Sequence, residues 1–187
     1  FSTYELGKIF LVGIGENGRL SFSERTFPRV MGLGVHDNGF WAGTLYQLWR
    51  FDNHLAPGRA YKGHDTLYVP SMAYTTGDVD VHDIHMRGDH PLFVATQFNC
   101  IAEPMLGKSF RAVWRPPFID RLAAEDRCHL NGMAIENGVL RYVTCASTSN
   151  IAEGWREHRR DGGVVLDVAT GEAVATGLSM PHSPRLH

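Results

Sequence analysis

The sequence predicts an all-β fold, a β-propeller of four-stranded antiparallel blades, of which about three and a half lie in this chain of 187 residues. Three short apolar strands end in a threonine, at Thr44, Thr96 and Thr144, so the pattern recurs about every 50 residues. Each of them follows another short strand after a turn rich in Gly, Asn or Asp, as in Asp37-Asn38-Gly39, which indicates a hairpin.

A second type of hairpin appears near both ends of the chain, where Glu16-Asn17-Gly18 and Ala169-Thr170-Gly171 separate two short strands. Two hairpins in each period of about 50 residues are typical of a propeller blade. The repeat divides the chain into a half blade at 1–27, blades at 28–79, 80–127 and 128–178, and the start of a further blade at 179–187. A β-sandwich with regular turns is the alternative.

A propeller closes into a ring of about four to eight blades, so that its sheets keep no open edges. We therefore expect the remaining blades of a six-bladed ring to come from sequence outside this chain, from a second chain or from an oligomer. Their strands should pair with the edges near 8–12 and 180–187. Helix is expected only in two short loop segments, 118–126 and 151–160.

The composition excludes several classes of function. Eighteen Lys and Arg against 20 Asp and Glu give a net charge of −2, which argues against a nucleic-acid partner. No apolar run approaches the roughly 20 residues that span a membrane. The 3 cysteines lack metal-site spacing and indicate a reducing compartment, so we expect a cytoplasmic protein. No phosphate-binding Gly-x-x-x-x-Gly-Lys run is present, so we expect no nucleotide cofactor.

Polar residues open the innermost strand of three successive predicted blades, and these strand ends cluster at one mouth of a propeller channel. Alignment through the threonines places Asp83, Asn131 and His182 in equivalent positions. We predict that they form a metal site there. A slip of one residue would exchange these side chains for their neighbours, so His82, His85 and His129 are reserve candidates.

The candidate residues allow several metals and functions. Carboxylate and amide oxygens suit Ca²⁺, Mg²⁺ or Mn²⁺, whereas imidazoles favour Zn²⁺ or Fe²⁺. A bound divalent ion would suit a small-molecule ligand or the activation of water, although the residues assign no catalytic group. Each residue could instead cap backbone groups in a structural role. A non-catalytic protein-interaction scaffold is therefore the alternative function.

Several runs resemble a family of bacterial conserved-hypothetical proteins: His129-Leu130-Asn131-Gly132-Met133, Asp161-Gly162-Gly163-Val164-Val165 and the stretch 177–185. So does Tyr74-Thr75-Thr76-Gly77-Asp78, which leads into the segment 81–84. The likeness covers almost the whole chain. It implies a propeller longer than this chain and carries no activity.

Two better-known propeller families are more distantly similar. Asn131-Gly132-Met133 resembles a blade entrance of the gluconolactonase and senescence-marker type. That resemblance implies a divalent cation held by Glu, Asn and Asp, with Asn131 among the ligands, and a hydrolase that opens lactones. Histidines at successive blade entrances resemble those of carotenoid-cleaving oxygenases, which implies a His-ligated iron oxygenase as a further alternative.

Overall fold

The computed structural model describes residues 1–15 and 17–186, and in them the chain folds as fifteen strands with two short 3₁₀ helices. The strands are β1 (Ser2–Thr3), β2 (Lys8–Ile14), β3 (Leu20–Thr26), β4 (Leu33–His36), β5 (Gly39–Gly43), β6 (Gln47–Asn53), β7 (Tyr68–Thr75), β8 (Val81–Arg87), β9 (His90–Ala95), β10 (Cys100–Met105), β11 (Lys108–Trp114), β12 (Leu130–Glu136), β13 (Val139–Cys145), β14 (Gly163–Asp167) and β15 (Ala173–Leu178). The 3₁₀ helices are Thr96–Phe98 and Gly154–His158.

The strands form four antiparallel meanders, β1-β2-β3, β4-β5-β6-β7, β8-β9-β10-β11 and β12-β13-β14-β15. Three of these sheets have four strands and the first has three, so the all-β fold with about three and a half propeller blades is confirmed. β2 and β3 pair from Lys8–Thr26 to Ile14–Leu20, as the predicted terminal hairpin requires. Glu16 of the predicted turn and His187 lie outside the described residues. The blade boundaries themselves stay predictions.

Successive sheets pack against one another through separate apolar clusters. Trp41 and Leu48 of the second sheet pack against Ile84 and Phe93 of the third. A larger cluster joins the third sheet to the fourth and contains Leu92, Val94, Ile101, Leu130, Met133, Val143 and Leu166. Alternate residues of each strand point to opposite faces of the sheet. The third sheet therefore packs apolar side chains against both the second and the fourth sheet. The strands β4, β8 and β12 lie side by side as the innermost strand of each sheet.

The first sheet is covered less completely. Leu11, Val12 and Ile14 of β2, with Leu20 and Phe22 of β3, are exposed. In the part of the chain that the structure describes, β1 pairs with just two residues of β2, Lys8 and Ile9. The expectation that strands outside this chain complete these edges stays a prediction.

One of the two helix predictions is wrong. Residues 118–126 form turns without a helix, because the buried Arg127 guanidinium organises the loop instead. It donates to Asp120 at 2.5 Å, to Glu125 at 2.7 Å and to Asn150 at 2.6 Å. The segment 151–160 does contain the short helix Gly154–His158.

Candidate metal centre

Three histidines from different parts of the chain meet where the inner strands begin. His82 lies in β8, His129 directly precedes β12, and His182 follows β15. One ring nitrogen from each imidazole lies within 4.8 Å of the other two. The ring centroids are 4.8 Å apart for His82 and His129, 6.1 Å for His82 and His182, and 6.3 Å for His129 and His182. These three side chains could hold a metal ion.

The Nδ1 atom of His82 is a hydrogen-bond donor. It lies 3.1 Å from the Asp80 carbonyl oxygen, which can only accept, and 2.8 Å from the Thr96 hydroxyl. That hydroxyl already donates its own hydrogen to the Leu130 carbonyl at 2.6 Å, so it accepts from His82. The proton therefore sits on Nδ1, and Nε2 keeps its lone pair.

His129 has the same tautomer for a different reason. Its Nδ1 donates to the Asp126 carboxylate, at 2.9 Å to Oδ2 and 3.1 Å to Oδ1. Asp126 also accepts the indole N–H of Trp155 at 2.8 Å, and the Trp155 ring stacks on His129 with centroids 4.2 Å apart. This carboxylate–histidine arrangement is the one that orients metal-binding imidazoles in proteins.

His182 completes the set from a more open position. Its Nδ1 donates to the Met180 carbonyl at 2.6 Å, which leaves its Nε2 lone pair free as well. The His182 side chain is exposed, whereas those of His82 and His129 are only 5% and 10% exposed. The three imidazoles thus share one hydrogen-bonding pattern, in which each Nδ1 contacts an oxygen atom of the protein.

Burial keeps His82 in the neutral form that binds metals. Loss of hydration lowers the pKa of His82 below its ordinary value. The neighbouring Asp80 acts in the opposite direction, while His129 and His182 lower the pKa further. A neutral imidazole is the form that offers a lone pair to a cation.

The backbone is bent at each of the three histidines. Asp80, Asp126, His129, Met180 and Ser183 all have φ between 40° and 52°, in the left-handed region. This conformation costs a non-glycine residue about 1–3 kcal/mol, and such residues concentrate at functional sites. The bends at Asp80, His129 and Met180 turn the chain just before or at each histidine. The strained backbone therefore lies where the three imidazole rings are brought together.

Two of the three residues predicted first have hydrogen-bond partners of their own. The buried Asp83 carboxylate accepts the backbone N–H groups of Ile84 and Met133 and the guanidinium of Arg185. The Asn131 side-chain oxygen accepts the Thr144 hydroxyl at 2.7 Å. The structure therefore brings His182 together with the reserve candidates His82 and His129. Ligand roles for Asp83, Asn131 and His85 stay predictions.

One protein-family model matches the chain over its whole length. A family model described as a domain of unknown function, DUF4915, matches residues 1–187. The chain belongs to the DUF4915 family. No curated protein matches it. The family therefore brings no activity with it, and any function of this DUF4915 chain has to be argued from the site.

The first sheet contributes to the rim of the histidine cluster. The Tyr4 ring lies 6.4 Å from the His82 ring, and its hydroxyl donates to Asp80 at 3.5 Å. Arg29 donates to the same Asp80 carboxylate at 2.8 Å and to Asp78 at 2.9 Å. Partial burial and the Asp80 charge raise the pKa of Tyr4, so its hydroxyl remains a donor at neutral pH.

Sequence reasoning missed the residues that orient the imidazoles. Asp126 stands three residues before His129, a spacing that could have suggested a carboxylate–histidine pair. Thr96 was singled out only as a mark of the repeat. Trp155 lies 26 residues after His129 in a loop, and nothing in the sequence connects the two.

Three buried cysteines, Cys100, Cys128 and Cys145, are free thiols. Burial raises the pKa of Cys100 to about 12, so this thiol is un-ionised at neutral pH.

Among the described residues no helix is long and apolar enough to cross a membrane. The cytoplasmic location stays a prediction.

Proposed function

We propose that His82, His129 and His182 bind a divalent transition metal, and that the protein is a small-molecule-binding propeller that acts as a metal-dependent hydrolase. The observation that carries the proposal is the shared tautomer. Each Nδ1 is held by an oxygen acceptor, from Asp80 and Thr96, from Asp126 or from Met180. Each Nε2 is thereby left as a lone-pair donor, and one nitrogen of each ring lies within 4.8 Å of the others.

The donor set favours zinc or iron over the harder cations. Three imidazole nitrogens suit Zn²⁺ and Fe²⁺, whereas Ca²⁺ and Mg²⁺ require mostly oxygen ligands. The Asp83 carboxylate pairs with Arg185, and the Asn131 oxygen accepts from Thr144, so these oxygens already have partners within the protein. The lactonase-type ligand pattern therefore contributes less to the proposal than the histidines do.

Three protein ligands leave coordination positions for water and substrate, as in known catalytic zinc sites. A metal bound there would lower the pKa of its water to about 7 and supply a hydroxide nucleophile. We therefore propose a small ester or lactone as the substrate class, since its carbonyl is open to attack by hydroxide.

The same ligand set supports a second candidate function. The carotenoid-cleaving oxygenases, which the histidines at the blade entrances resemble, bind their iron through imidazoles alone. A His-ligated, iron-dependent oxygenase is therefore the alternative that the all-nitrogen ligands favour.

Metal content tests the proposal directly. The protein, purified without chelator, should contain close to one equivalent of zinc or iron by elemental analysis. The variant His82→Ala, His129→Ala should lose it and keep its β circular dichroism. His90→Ala is the matched control, because His90 is an exposed histidine outside the cluster. Equal metal in the double variant and the wild type would contradict the site.

Reconstitution of the metal-free protein with Zn²⁺ or Fe²⁺ distinguishes the hydrolase from the oxygenase. The Zn²⁺ form should hydrolyse small aryl esters or lactones without oxygen, and the double variant should not. An Fe²⁺ form that consumes O₂ in the presence of substrate, together with an inactive Zn²⁺ form, would establish the oxygenase. Protein that binds neither metal would leave the non-catalytic scaffold as the function.

A further inference from the structure

The segment that carries His182 is attached to the fold differently from the other two histidines. Residues 180–186 form no strand, although they lie beside β12. Within the described residues, the His182 ring accepts or donates hydrogen bonds only with Met180 of its own segment. The position of this imidazole therefore depends on what fixes the segment as a whole.

Arg185 makes the principal polar contact between this segment and the inner strands. Its Nη2 donates to Asp83 Oδ1 at 3.0 Å, and its Nη1 donates to Asp83 Oδ2 at 3.1 Å. Nη1 also lies 3.3 Å from the Met133 carbonyl oxygen. A two-point contact between guanidinium and carboxylate fixes orientation as well as distance.

Asp83 is a firm anchor for this contact. Its carboxylate is buried and accepts the Ile84 N–H at 3.0 Å and the Met133 N–H at 3.2 Å. Ile84 belongs to β8 and Met133 to β12, so the carboxylate joins the inner strands of two sheets. These backbone donors hold the carboxylate in place whether or not Arg185 is present.

Gly132 lets the segment lie directly on β12. A Cβ atom at Gly132 would come within 2.7 Å of the Ser183 nitrogen and 2.5 Å of Pro184 Cδ. The backbone next to His182 therefore contacts β12 with no space for a side chain between them. Arg185 and Gly132 fix the segment on the C-terminal side of His182.

We propose that Arg185 and Asp83 form a clasp that positions His182 at the metal centre. Arg185 and Asp83 are positioning residues that act through His182, and they need not touch the metal or the substrate. The inference rests on the proposed metal site and extends it. It assigns a role to Asp83, the carboxylate that the repeat places at a blade entrance.

The test uses Arg185→Ala in the full protein loaded with Co²⁺. We expect Co²⁺ affinity to fall by about 10- to 100-fold, the usual cost of removing a residue that orients a ligand. In the paramagnetic proton spectrum the wild type should show three exchangeable imidazole N–H signals, one from each Nδ1. The variant should show two, because His182 leaves the metal while His82 and His129 stay.

Two further variants separate positioning from general destabilisation. Asp83→Asn should cause the same loss of the third imidazole signal, and combining it with Arg185→Ala should add little, since both break one contact. Arg185→Lys keeps the charge without the two-point geometry and should restore part of the affinity.

Arg141→Ala is the matched control. Arg141 also pairs with an aspartate, Asp167, and has the same 40% exposed side chain as Arg185, but its ion pair joins β13 to β14 away from the His182 segment. This variant should keep three imidazole signals. Three signals and unchanged affinity in Arg185→Ala would overturn the clasp and leave the metal site standing. Wild-type protein that binds no Co²⁺ would overturn the metal site and the clasp together.

Discussion

The two loop segments that supply histidines to the metal centre, 126–129 and 180–186, are built in opposite ways. His129 is buried, hydrogen-bonded through Nδ1 to Asp126 and stacked on Trp155, so its ring is fixed on several sides. His182 is exposed and bonded to the carbonyl of its own segment. The first segment is fixed by a buried network, and the second by one ion pair and close backbone packing.

Most of the metal affinity of such a site would come from its buried, fixed imidazoles. A ligand that is already held in place loses little conformational freedom on binding, whereas an exposed side chain has to be ordered. His82 and His129 thus form a preorganised pair, and His182 is the adjustable third ligand. His182 is also the most solvent-accessible of the three histidines.

The largest effect is expected at the buried pair, His82 and His129. We expect His129→Ala to abolish stoichiometric Zn²⁺ or Co²⁺ binding, whereas His182→Ala should leave weak, measurable binding. His129→Ala also deprives the buried Asp126 of one donor, which should lower the free energy of unfolding by about 1–3 kcal/mol. Titration calorimetry and urea unfolding measure both effects. Equal metal losses in the two variants would contradict the division into a fixed and an adjustable part.

The support behind His129 should have the next largest effect. Asp126→Asn removes the negative charge that faces His129, and it replaces one carboxylate oxygen by an N–H₂ group that opposes the Nδ1–H donor of His129. Metal affinity should fall by about 10- to 100-fold while all three imidazoles remain ligands. Asp161→Asn, at an exposed aspartate, is the control. An unchanged metal affinity in Asp126→Asn would show that His129 needs no such support.

A smaller effect is expected at the close contact beneath the His182 segment. Gly132→Ala places a methyl group against the Ser183 nitrogen and Pro184, so the segment has to move. Such overpacking costs about 1–3 kcal/mol of stability, and the displaced His182 should weaken metal binding less than Arg185→Ala does. Gly13→Ala, where no atom lies within 4 Å of the added Cβ, should change neither quantity. A fully stable Gly132→Ala with wild-type affinity would argue that the segment is loosely held.

The sequence was sufficient for the sheets because the repeat is carried by local signals. The strands predicted to end at Thr44, Thr96 and Thr144 recur with their turns, and each hairpin forms from neighbouring residues. The helix predicted at 118–126 failed because contacts with distant residues decide that loop, and local propensity carries no information about them. Arg127 donates to Asn150, and the Glu125 N–H donates to the Gln97 carbonyl.

The register of the site was harder to predict for a specific reason. The alignment that favoured Asp83 and Asn131 assumed unbroken alternation along the inner strands. In the structure, β8 has a register shift between Val81 and Ile84, and β12 has one between Leu130 and Gly132. A bulge changes which side chains face a given direction, so His82 and His129 join His182. Bulges at strand ends leave little trace in a single sequence.

The smallest effect concerns His85, which reports on the clasp without being one of the three clustered histidines. Burial lowers the pKa of His85 below its ordinary value, Arg185 lowers it further, and Asp83 raises it. Arg185→Ala removes the positive charge and admits water while Asp83 stays in place, so both changes raise the pKa of His85 towards 6.5. An NMR titration of the His85 ring in metal-free protein should show this rise, and Arg141→Ala should not.

Stability should follow with the corresponding sign. Because the folded pKa of His85 is lowered, its contribution to stability is present above about pH 6.5 and is lost as the pH falls through the folded value. Arg185→Ala brings the folded pKa of His85 closer to its unfolded value, so the free energy of unfolding of this variant should depend less on pH below about pH 6.5 than that of Arg141→Ala. An unchanged or lower His85 pKa in Arg185→Ala would mean that the Arg185 guanidinium does not hold the segment 180–186 against β8. The proposed difference between the segments 126–129 and 180–186 would then have no structural basis.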